Sequence, residues 1–168
     1  EVWLRGGTYR ASSTGSVGFS VGVGLKVFGG FAGTESTLAQ RQLGAHPTTL
    51  TGDVLGDDQP AFAFRNDNAS TVVSLAAGAL LDGCTVVGGS GTRGGGVLIA
   101  GNGARVDRCV IADNQATSGG GVALDASGMI VRSLITGNRA GGGAGFSSGV
   151  SCTLVSCTIT SNVSDSLG

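Results

Sequence analysis

Proline, aromatic residues and charge are all scarce in this sequence. It has two prolines, six Phe, one Trp and one Tyr, and only 12% of its 168 residues are charged. The few prolines exclude a proline-rich disordered tail, and so little Lys and Glu is untypical of a helical bundle. The formal net charge is −1 and no basic run occurs. We expect no nucleic-acid partner, because contact with phosphates needs a basic surface.

Long apolar runs are also missing. No stretch approaches the roughly 20 apolar residues that a membrane-crossing helix needs, so we expect no direct membrane span. The first residues, Glu1-Val2-Trp3-Leu4, have the pattern of a strand interior and not of a signal peptide. We interpret residues 1–168 as a single domain that is a fragment of a longer protein.

Glycine, in contrast, is abundant. The chain has 33 glycines, far above an ordinary share of roughly 7%. They show no strict triplet period of the collagen kind, and the apolar residues around them are mainly Ala, Val, Leu and Ile. This composition is typical of many short strands joined by tight turns.

An internal repeat organises the second half of the chain. Four similar segments follow one another at intervals of 25, 24 and 24 residues, beginning at Cys84, Cys109, Ser133 and Cys157. An aliphatic residue stands three positions before each of them: Leu81, Val106, Ile130 and Leu154. Glycine triplets lie between the segments, at residues 94–96, 119–121 and 141–143. In the first half a period of 23 is suggested by Leu4, Val27, Leu50 and Val73.

A repeat of this length with two or three short strands is one coil of a solenoid, which buries its apolar side by stacking on its neighbours. We predict an all-β, right-handed parallel β-helix of about seven coils. A leucine-rich repeat would need a regular Leu-x-x-Leu-x-Leu frame, which is missing. Residues 35–43 predict one short helical excursion, preceded by a cap-like Thr34 and carrying Leu38 and Leu43 at core spacing.

Alternation along the strands predicts which side chains face inward. The predicted core stack consists of Cys84, Val86, Cys109, Ile111, Ile135, Cys157 and Ile159, with Ser133 in the same column. The four cysteines, including Cys152, allow disulfides between Cys84 and Cys109 or between Cys152 and Cys157. We favour buried thiols, because free Cys packs as a small hydrophobe.

Two groups of short motifs in this sequence resemble those of known protein families. The elements Ile111-x-x-Asn114, Ile135-x-x-Asn138 and Ile159-x-x-Asn162, each near a glycine run, resemble the repeats of polymorphic outer-membrane proteins. Residues 1–58, with Gly29-Gly30-Phe31-Ala32-Gly33 and Leu50-Thr51-Gly52-Asp53, are similar to the opening of large secreted, pectin-lyase-like bacterial proteins. The resemblance implies secretion, an extracellular or cell-surface location, and often adhesion or contact with carbohydrate.

The asparagine column Asn114, Asn138 and Asn162 predicts a structural ladder of stacked amides, with Gly89 in the same column. Asparagine also tolerates left-handed backbone, which a coil corner requires. The alternative for Asn162, and for Asn68, is glycosylation, because Asn162-Val163-Ser164 and Asn68-Ala69-Ser70 are acceptor sequences.

Carboxylates concentrate at Asp53, Asp57 and Asp58 in a glycine-containing loop. They are weak candidates for calcium, the only cofactor we consider, because calcium takes six to eight oxygen ligands; a solvated turn is the alternative. No Cys or His cluster favours zinc. His46 is the only histidine and lies beside Pro47, so we assign it no catalytic role.

Asp82 and Asp107 align in the repeat, beside Arg108 and Arg132, and form the best exposed polar patch. We favour outer salt bridges between these groups, and they are only weak catalytic candidates for a polysaccharide lyase or hydrolase. We expect a non-catalytic structural or adhesive segment whose partners are carbohydrate, a surface protein or, through end-to-end association, copies of itself. A lyase or hydrolase fragment is the first alternative, and an ice- or mineral-binding face is the second.

Overall fold

The computed structural model describes residues 1–165, which form short strands in four parallel sheets. Sheet 1 contains Val2–Arg5, Lys26–Phe31, Leu80–Asp82, Ala104–Asp107, Gly128–Val131 and Cys152–Val155. Sheet 2 contains Gly7–Arg10, Thr48–Thr51, Thr85–Val87, Val110–Ala112, Leu134–Thr136 and Thr158–Thr160. Sheet 3 contains Ser90–Arg93, Gln115–Ser118, Arg139–Gly142 and Val163–Ser164. Sheet 4 contains Val17–Val21, Thr71–Leu75, Val97–Ile99, Val122–Leu124 and Phe146–Ser148.

The chain visits these sheets in turn and then returns to sheet 1 one layer further on. Sheets 1 and 2 each contain six strands, so we number the coils 1 to 6, and coils 3 to 5 carry a strand in every sheet. Two 3₁₀ turns, Leu38–Gln40 and Pro60–Phe62, are the only helical elements within residues 1–165. The prediction of an all-β parallel solenoid is confirmed, and the six coils within residues 1–165 agree with the predicted number of about seven. In the described part of the chain, no helix is long and apolar enough to cross a membrane.

The core is a set of stacked aliphatic columns inside the coils. In sheet 2, Ile111 pairs with Val86 on one side and with Ile135 on the other, and all three are fully buried. Each such side chain contributes about 1.5–3 kcal/mol by leaving water. Because coils 3 to 5 repeat the same residue types in register, their strands bury their apolar sides against the neighbouring coils.

Coils 3 to 6 turn the corners on either side of sheet 2 through single residues in the left-handed region. Between sheets 1 and 2 these are Gly83, Arg108, Arg132 and Ser156, with φ of 73°, 50°, 48° and 53°. Between sheets 2 and 3 they are Gly88, Asp113, Gly137 and Ser161, with φ of 75°, 52°, 64° and 55°. One left-handed residue between two extended segments bends the chain sharply. The residue after it then points back into the core.

The predicted period of 23 in the first half is wrong. Val27 pairs with Val2 and Leu81 in sheet 1, whereas Leu50 lies in sheet 2 and Val73 in sheet 4. The even spacing arose because coil 2 is enlarged by two insertions. Residues 32–47, the first insertion, separate its sheet 1 and sheet 2 strands. Residues 52–70, the second insertion, separate its sheet 2 and sheet 4 strands.

The first insertion contains the helical excursion expected at residues 35–43, reduced to the 3₁₀ turn Leu38–Gln40. Its N-cap is Thr37 and not Thr34. The Oε1 atom of Gln40 accepts the backbone N–H groups of Ser36 and Thr37, at 2.8 and 2.9 Å. Because the turn is so short, Leu38 and Leu43 are only partly buried.

The third glycine triplet is out of register with the first two. Val97, Val122 and Phe146 pair across sheet 4, so residues 94–96 and 119–121 correspond to residues 143–145. Gly142 instead pairs with Ser118 inside sheet 3. Residues 141–143 therefore lie two positions earlier in their coil than the other two triplets do in theirs.

Candidate functional site

The two aspartates of the predicted polar patch are buried, whereas its two arginines, Arg108 and Arg132, are exposed. Asp82 and Asp107 pair across sheet 1, and the next residue in their column is Val131, as the repeat predicts. However, only 2% of Asp82 and 3% of Asp107 is accessible to solvent. The prediction of exposed carboxylates is wrong, because arginine side chains cover both of them.

Two guanidinium groups converge on Asp82. Arg41 reaches across from the first insertion and its Nη2 lies 2.8 Å from Asp82 Oδ1. Arg108, at the corner of the next coil, donates to both carboxylate oxygens of Asp82. These hydrogen bonds are the main cause that raises the pKa of Arg108, and the nearby Asp107 adds to it. The carboxylate of Asp82 is therefore fully engaged.

Asp107 repeats this arrangement one coil further on. Arg132 donates to both its oxygens, at 3.0 and 2.6 Å, and Arg105 lies 2.7 Å from Oδ2. Arg108 and Arg132 both sit at left-handed corner positions, which cost about 1–2 kcal/mol for a residue with a side chain. The corner directs each guanidinium onto the aspartate of the preceding coil, and the two-point ion pair offsets that cost.

These ion pairs connect neighbouring coils along one edge of the solenoid. A catalytic carboxylate must reach the substrate or water with a free oxygen. Asp82 and Asp107 offer neither exposure nor an unbonded oxygen. The arrangement is that of a structural ladder between coils.

The asparagine column forms a second, continuous ladder. The Oδ1 atom of Asn114 accepts the backbone N–H of Gly89 at 2.9 Å, and Asn138 Oδ1 accepts that of Asn114 at 3.1 Å. Asn162 Oδ1 accepts the N–H of Asn138 at 2.9 Å. The side-chain amides donate to carbonyls of the coil below, such as that of Ile111 for Asn138. The left-handed residue at this corner is the one before each Asn and not the Asn itself.

The two glycosylation sequences lie in different settings. Asn68 is buried, and its Nδ2 donates to the carboxylate of Asp58 and to the carbonyl of Gly88. Asn162 is partly buried and donates its Nδ2 to the carbonyls of Ile135 and Thr160. In both residues the nitrogen that would carry a glycan is engaged in hydrogen bonds to other groups.

The cysteines are free thiols, and Cys84 and Cys109 are buried next to each other in adjacent coils. Burial raises the pKa of Cys109 to about 12, and it raises the pKa of Cys84 and Cys152 as well. In the same column, Ser133 accepts the backbone N–H of Cys109 and donates to the carbonyl of Val131. Cys157 is partly exposed and Ile159 is 44% exposed, because no described coil covers the outer side of coil 6.

The predicted calcium candidates lie together in the second insertion. Asp53, Asp57 and Asp58 each bring one carboxylate oxygen to within 4.8 Å of the other two. Asp53 Oδ1 accepts the backbone N–H groups of Gly56 and Asp57, at 2.6 and 3.2 Å. These bonds fold the loop back, so that Asp57 and Asp58 face Asp53.

A buried amide and two arginines surround this acidic cluster. The Nδ2 atom of Asn68 lies 3.0 and 3.1 Å from the two oxygens of Asp58. Arg65 approaches Asp58, and Arg10 approaches Asp53, each to 3.5 Å. Desolvation is the main cause that raises the pKa of Asp58, and Asp53 and Asp67 raise it further. Carboxylate oxygens are ligands that calcium takes, but Asn68 presents the nitrogen of its amide, and not the oxygen, to Asp58.

The second insertion also covers the corner between sheets 2 and 3 as far as coil 5. Arg65 donates to the carbonyl of Asp113 at 2.6 Å. The ring of Phe62 lies under the guanidinium of Arg65, at 4.7 Å, and near that of Arg139, at 6.0 Å. A cleft of about 280 Å³ lies alongside and is lined by Ser90, Gly91, Gln115, Ala116, Thr117, Arg139 and Asp165.

Several residues that build these sites could not be picked out from the repeat. Arg41, Arg65 and Asn68 lie in the insertions, outside the repeated segments, and reach coils distant in sequence. The one signal in the sequence is indirect, because Asn68 stands in a glycosylation acceptor sequence. His46 also lies in the first insertion, where it lines a cleft with Arg5 and Phe31.

Four parallel sheets, wound in successive coils and tied by polar ladders, define a right-handed parallel β-helix. Residues 63–167 match the family described as the right handed beta helix region. The match covers more than half of the chain, and the chain belongs to this family. Neither the curated proteins nor the solved structures contain a match.

Proposed function

We propose that this chain is a non-catalytic structural and adhesive segment of a secreted or surface-displayed bacterial-type protein. The observation that carries the proposal is that arginines cover the carboxylates of Asp82 and Asp107 and form ion pairs with them. The carboxylates that aligned best for catalysis serve to hold coils together. A rod of stacked coils with rigid corners suits a spacer or a display scaffold.

The adhesive part of the proposal rests on the second insertion. This segment carries two large apolar side chains at the surface, Leu55 and Phe64, which are 73% and 64% exposed. The cleft next to it is lined by amide, hydroxyl, guanidinium and carboxylate groups, including Gln115, Thr117 and Arg139. Closely spaced donors and acceptors suit a ligand rich in hydroxyl groups, and the ring of Phe62 lies near the guanidinium of Arg139 at the cleft. Carbohydrate is therefore the partner that we propose first.

Extracellular or cell-surface location is supported by the resemblance of the Ile-x-x-Asn elements to polymorphic outer-membrane protein repeats. The ladder Asn114–Asn138–Asn162 gives these elements a structural role in the coil. A role of that kind is compatible with display of the outer faces to a partner.

The test measures binding and turnover on the same samples. The purified chain is applied to immobilised acidic and neutral polysaccharides, and the soluble products are assayed for unsaturated sugars and new reducing ends. We expect binding without turnover, weakened at least tenfold by Phe64→Ala. The control is Val23→Ala, because Val23 is 80% exposed and lies outside the insertion. Turnover that is lost on changing Asp82 or Asp107 would establish the lyase or hydrolase alternative instead.

The same samples distinguish the remaining possibilities. Sedimentation at rising concentration reports self-association, and thermal hysteresis reports an ice-binding face. Association or hysteresis without any binding to polysaccharide would overturn the choice of carbohydrate as partner.

A further inference from the structure

A cleft of about 440 Å³ lies between the first insertion and the corner of coil 1. Backbone hydrogen bonds hold its two walls together. Gly6 donates its N–H to the carbonyl of Phe31 at 2.8 Å, and Gly7 donates its N–H to the carbonyl of Pro47 at 2.9 Å. Phe31 immediately precedes the first insertion, and Pro47 is its last residue. The insertion is therefore fixed to coil 1 at both of its ends, and the cleft between them is preformed.

Four polar side chains line this cleft and have no partner in the protein. They are Arg5, Thr8, His46 and Thr49. Within residues 1–165, none of these side chains makes a hydrogen bond or an ion pair. Thr8 and Thr49 pair across sheet 2, so their side chains project from the same face of neighbouring strands. A ligand in the cleft therefore meets four polar groups that the fold itself does not use.

The lining of the cleft contains a cation but no carboxylate. The side chain of Arg5 runs beside Gly33, where a Cβ would lie 3.3 Å from Arg5 Cδ. Glu35 is the only acidic residue of the first insertion. Its carboxylate accepts the N–H groups of residues 32–34 and forms no ion pair with Arg5. The positive charge of Arg5 is thus uncompensated at the cleft, and a guanidinium binds a carboxylate through two parallel N–H bonds.

Apolar groups complete the lining. Ala45 and Pro47 are exposed on the side of the insertion. The ring of Phe31 lies below them, 2% exposed and stacked on Trp3 at 4.7 Å. This stack gives the cleft a rigid floor. A small molecule that combines a negative charge, hydroxyl groups and C–H groups matches the three kinds of surface that the cleft offers.

We propose that this cleft binds a carboxylate that carries neighbouring hydroxyl groups, as in a sugar acid. The carboxylate pairs with the guanidinium of Arg5, and the hydroxyl groups bond to the side chains of Thr8, Thr49 and His46. A single guanidinium matches the one charge of a carboxylate, whereas a phosphate group carries a charge of about −1.5 to −2. The cleft is separate from the one beside the second insertion, so this proposal does not rest on the adhesive function.

The experiment is a titration of the wild-type chain with sodium glucuronate, followed in amide NMR spectra. Glucose is the matched ligand, because it has the same ring and hydroxyl groups but no charge. We expect glucuronate to shift the signals of residues 5–8 and 45–49 with a dissociation constant of about 1 mM, in the weak range for a small exposed ligand. Glucose at the same concentration leaves these signals unchanged.

Two variants test the assigned contacts. Arg5→Gln weakens glucuronate binding about tenfold or more, because it removes the charged donor pair. Its control is Lys26→Gln, which removes the same charge at an exposed position of sheet 1 outside the cleft and leaves binding unchanged. Thr8→Val keeps the shape of an exposed strand residue but removes its hydroxyl group, and it weakens binding about threefold.

Absence of spectral change at about 20 mM glucuronate, well above the expected dissociation constant, would overturn the proposal. Equal binding of glucose, equal binding of inorganic phosphate, or unchanged affinity in Arg5→Gln would also overturn it. Shifts confined to Gln115, Thr117 and Arg139 would reject this site and would support carbohydrate binding beside the second insertion. The two proposals can therefore fail separately.

Discussion

A single oxygen of Asn138 satisfies two donors of Asn114, which lies 24 residues earlier in the chain. Asn138 Oδ1 accepts the backbone N–H of Asn114 at 3.1 Å and its side-chain Nδ2 at 3.0 Å. Asn162 Oδ1 likewise accepts the backbone N–H and the side-chain Nδ2 of Asn138, both at 2.9 Å. The side chain thus performs the task of a backbone carbonyl at a corner where the sheet hydrogen bonds are interrupted.

The first prediction concerns the centre of this ladder. Asn138→Ala removes the acceptor for both donors of Asn114. The backbone N–H of Asn114 is then buried without this acceptor, whereas its Nδ2 still donates to the carbonyls of Val86 and Ala112. It also removes the donor to the carbonyl of Ile111. Each buried group left unsatisfied costs about 1–3 kcal/mol. We expect a loss of about 3 kcal/mol in the free energy of unfolding, measured by chemical denaturation.

Asn102→Ala is the matched control for the ladder. The side chain of Asn102 accepts one backbone N–H, that of Ser127, at an exposed turn. Water replaces an exposed hydrogen bond at little cost, so we expect a change below about 1 kcal/mol. If the two variants lost the same free energy of unfolding, burial of the ladder would add nothing to its stability.

The second prediction concerns the arginine–aspartate ladder. Asp82→Asn removes the negative charge that faces Arg41, whose side chain is only 6% exposed, and Arg108. Breaking a buried ion pair by removing one partner leaves an uncompensated charge. We expect a loss of about 3 kcal/mol in the free energy of unfolding and faster amide exchange in the first insertion, which Arg41 anchors. The same change at the exposed pair, Asp125→Asn, should cost under about 1 kcal/mol. A smaller loss for Asp82 than for Asp125 would contradict the structural role.

The third prediction separates two glycines that look alike in the sequence. A Cβ on Gly121 would lie 2.6 Å from the carbonyl oxygen of Gly145 and 2.8 Å from a methyl of Ile135. A Cβ on Gly142 would meet nothing within 4 Å, and this position pairs with Ser118. We expect Gly121→Ala to cost about 3 kcal/mol through overpacking and Gly142→Ala to be neutral or slightly stabilising. Thermal unfolding of the two variants measures the difference in stability. A more stable Gly121→Ala than Gly142→Ala would contradict the register.

The fold and the asparagine ladder were predictable because they follow from a repeat. Ile111 and Ile135 recur at a fixed interval between glycine-rich corners, and side chains at equal positions of a solenoid must stack. The inward position of Asn138 follows from the same frame. No information beyond the sequence of the second half was needed for these features.

Burial of Asp82 and the true path of coil 2 could not be read from the repeat. Alternation places Asp82 correctly in its column, but Arg41 covers it from an insertion that no period describes. The two insertions also made Leu50 and Val73 look like members of one column. Local patterns determine position within a coil, whereas cover by a loop depends on contacts between residues about 40 positions apart.

The fourth prediction concerns the accessibility of the thiols. Cys84 and Cys109 are buried, and burial raises the pKa of Cys109 to about 12, so little thiolate exists near neutral pH. In the folded chain we expect iodoacetamide to modify Cys152 and Cys157, which are partly exposed, well before the other two. Mass spectrometry of peptides measures the order, and denaturation without reductant should make all four reactive. If Cys84 and Cys109 stayed unreactive after denaturation, they would form a disulfide.

The fifth prediction is a pH dependence at the start of the first insertion. The carboxylate of Glu35 accepts the backbone N–H groups of Ala32, Gly33 and Thr34, at 2.7, 2.9 and 3.0 Å. These hydrogen bonds lower the pKa of Glu35 from 4.5 to about 2, and the bond from Ala32 has the largest effect. Because the pKa is lower in the folded state, the stabilisation is complete above pH 4.5 and is lost as the pH falls through 2.

NMR titration of the same three amide groups measures this directly. We expect their shifts to change with a midpoint near 2, following the pKa of Glu35. Glu35→Gln abolishes that titration at every one of the three amides, because the variant has no carboxylate to protonate. The variant should also show faster amide exchange there at neutral pH, since a neutral acceptor holds an N–H less strongly than a charged one. A wild-type midpoint near 4.5 would mean that the carboxylate does not hold the loop in solution.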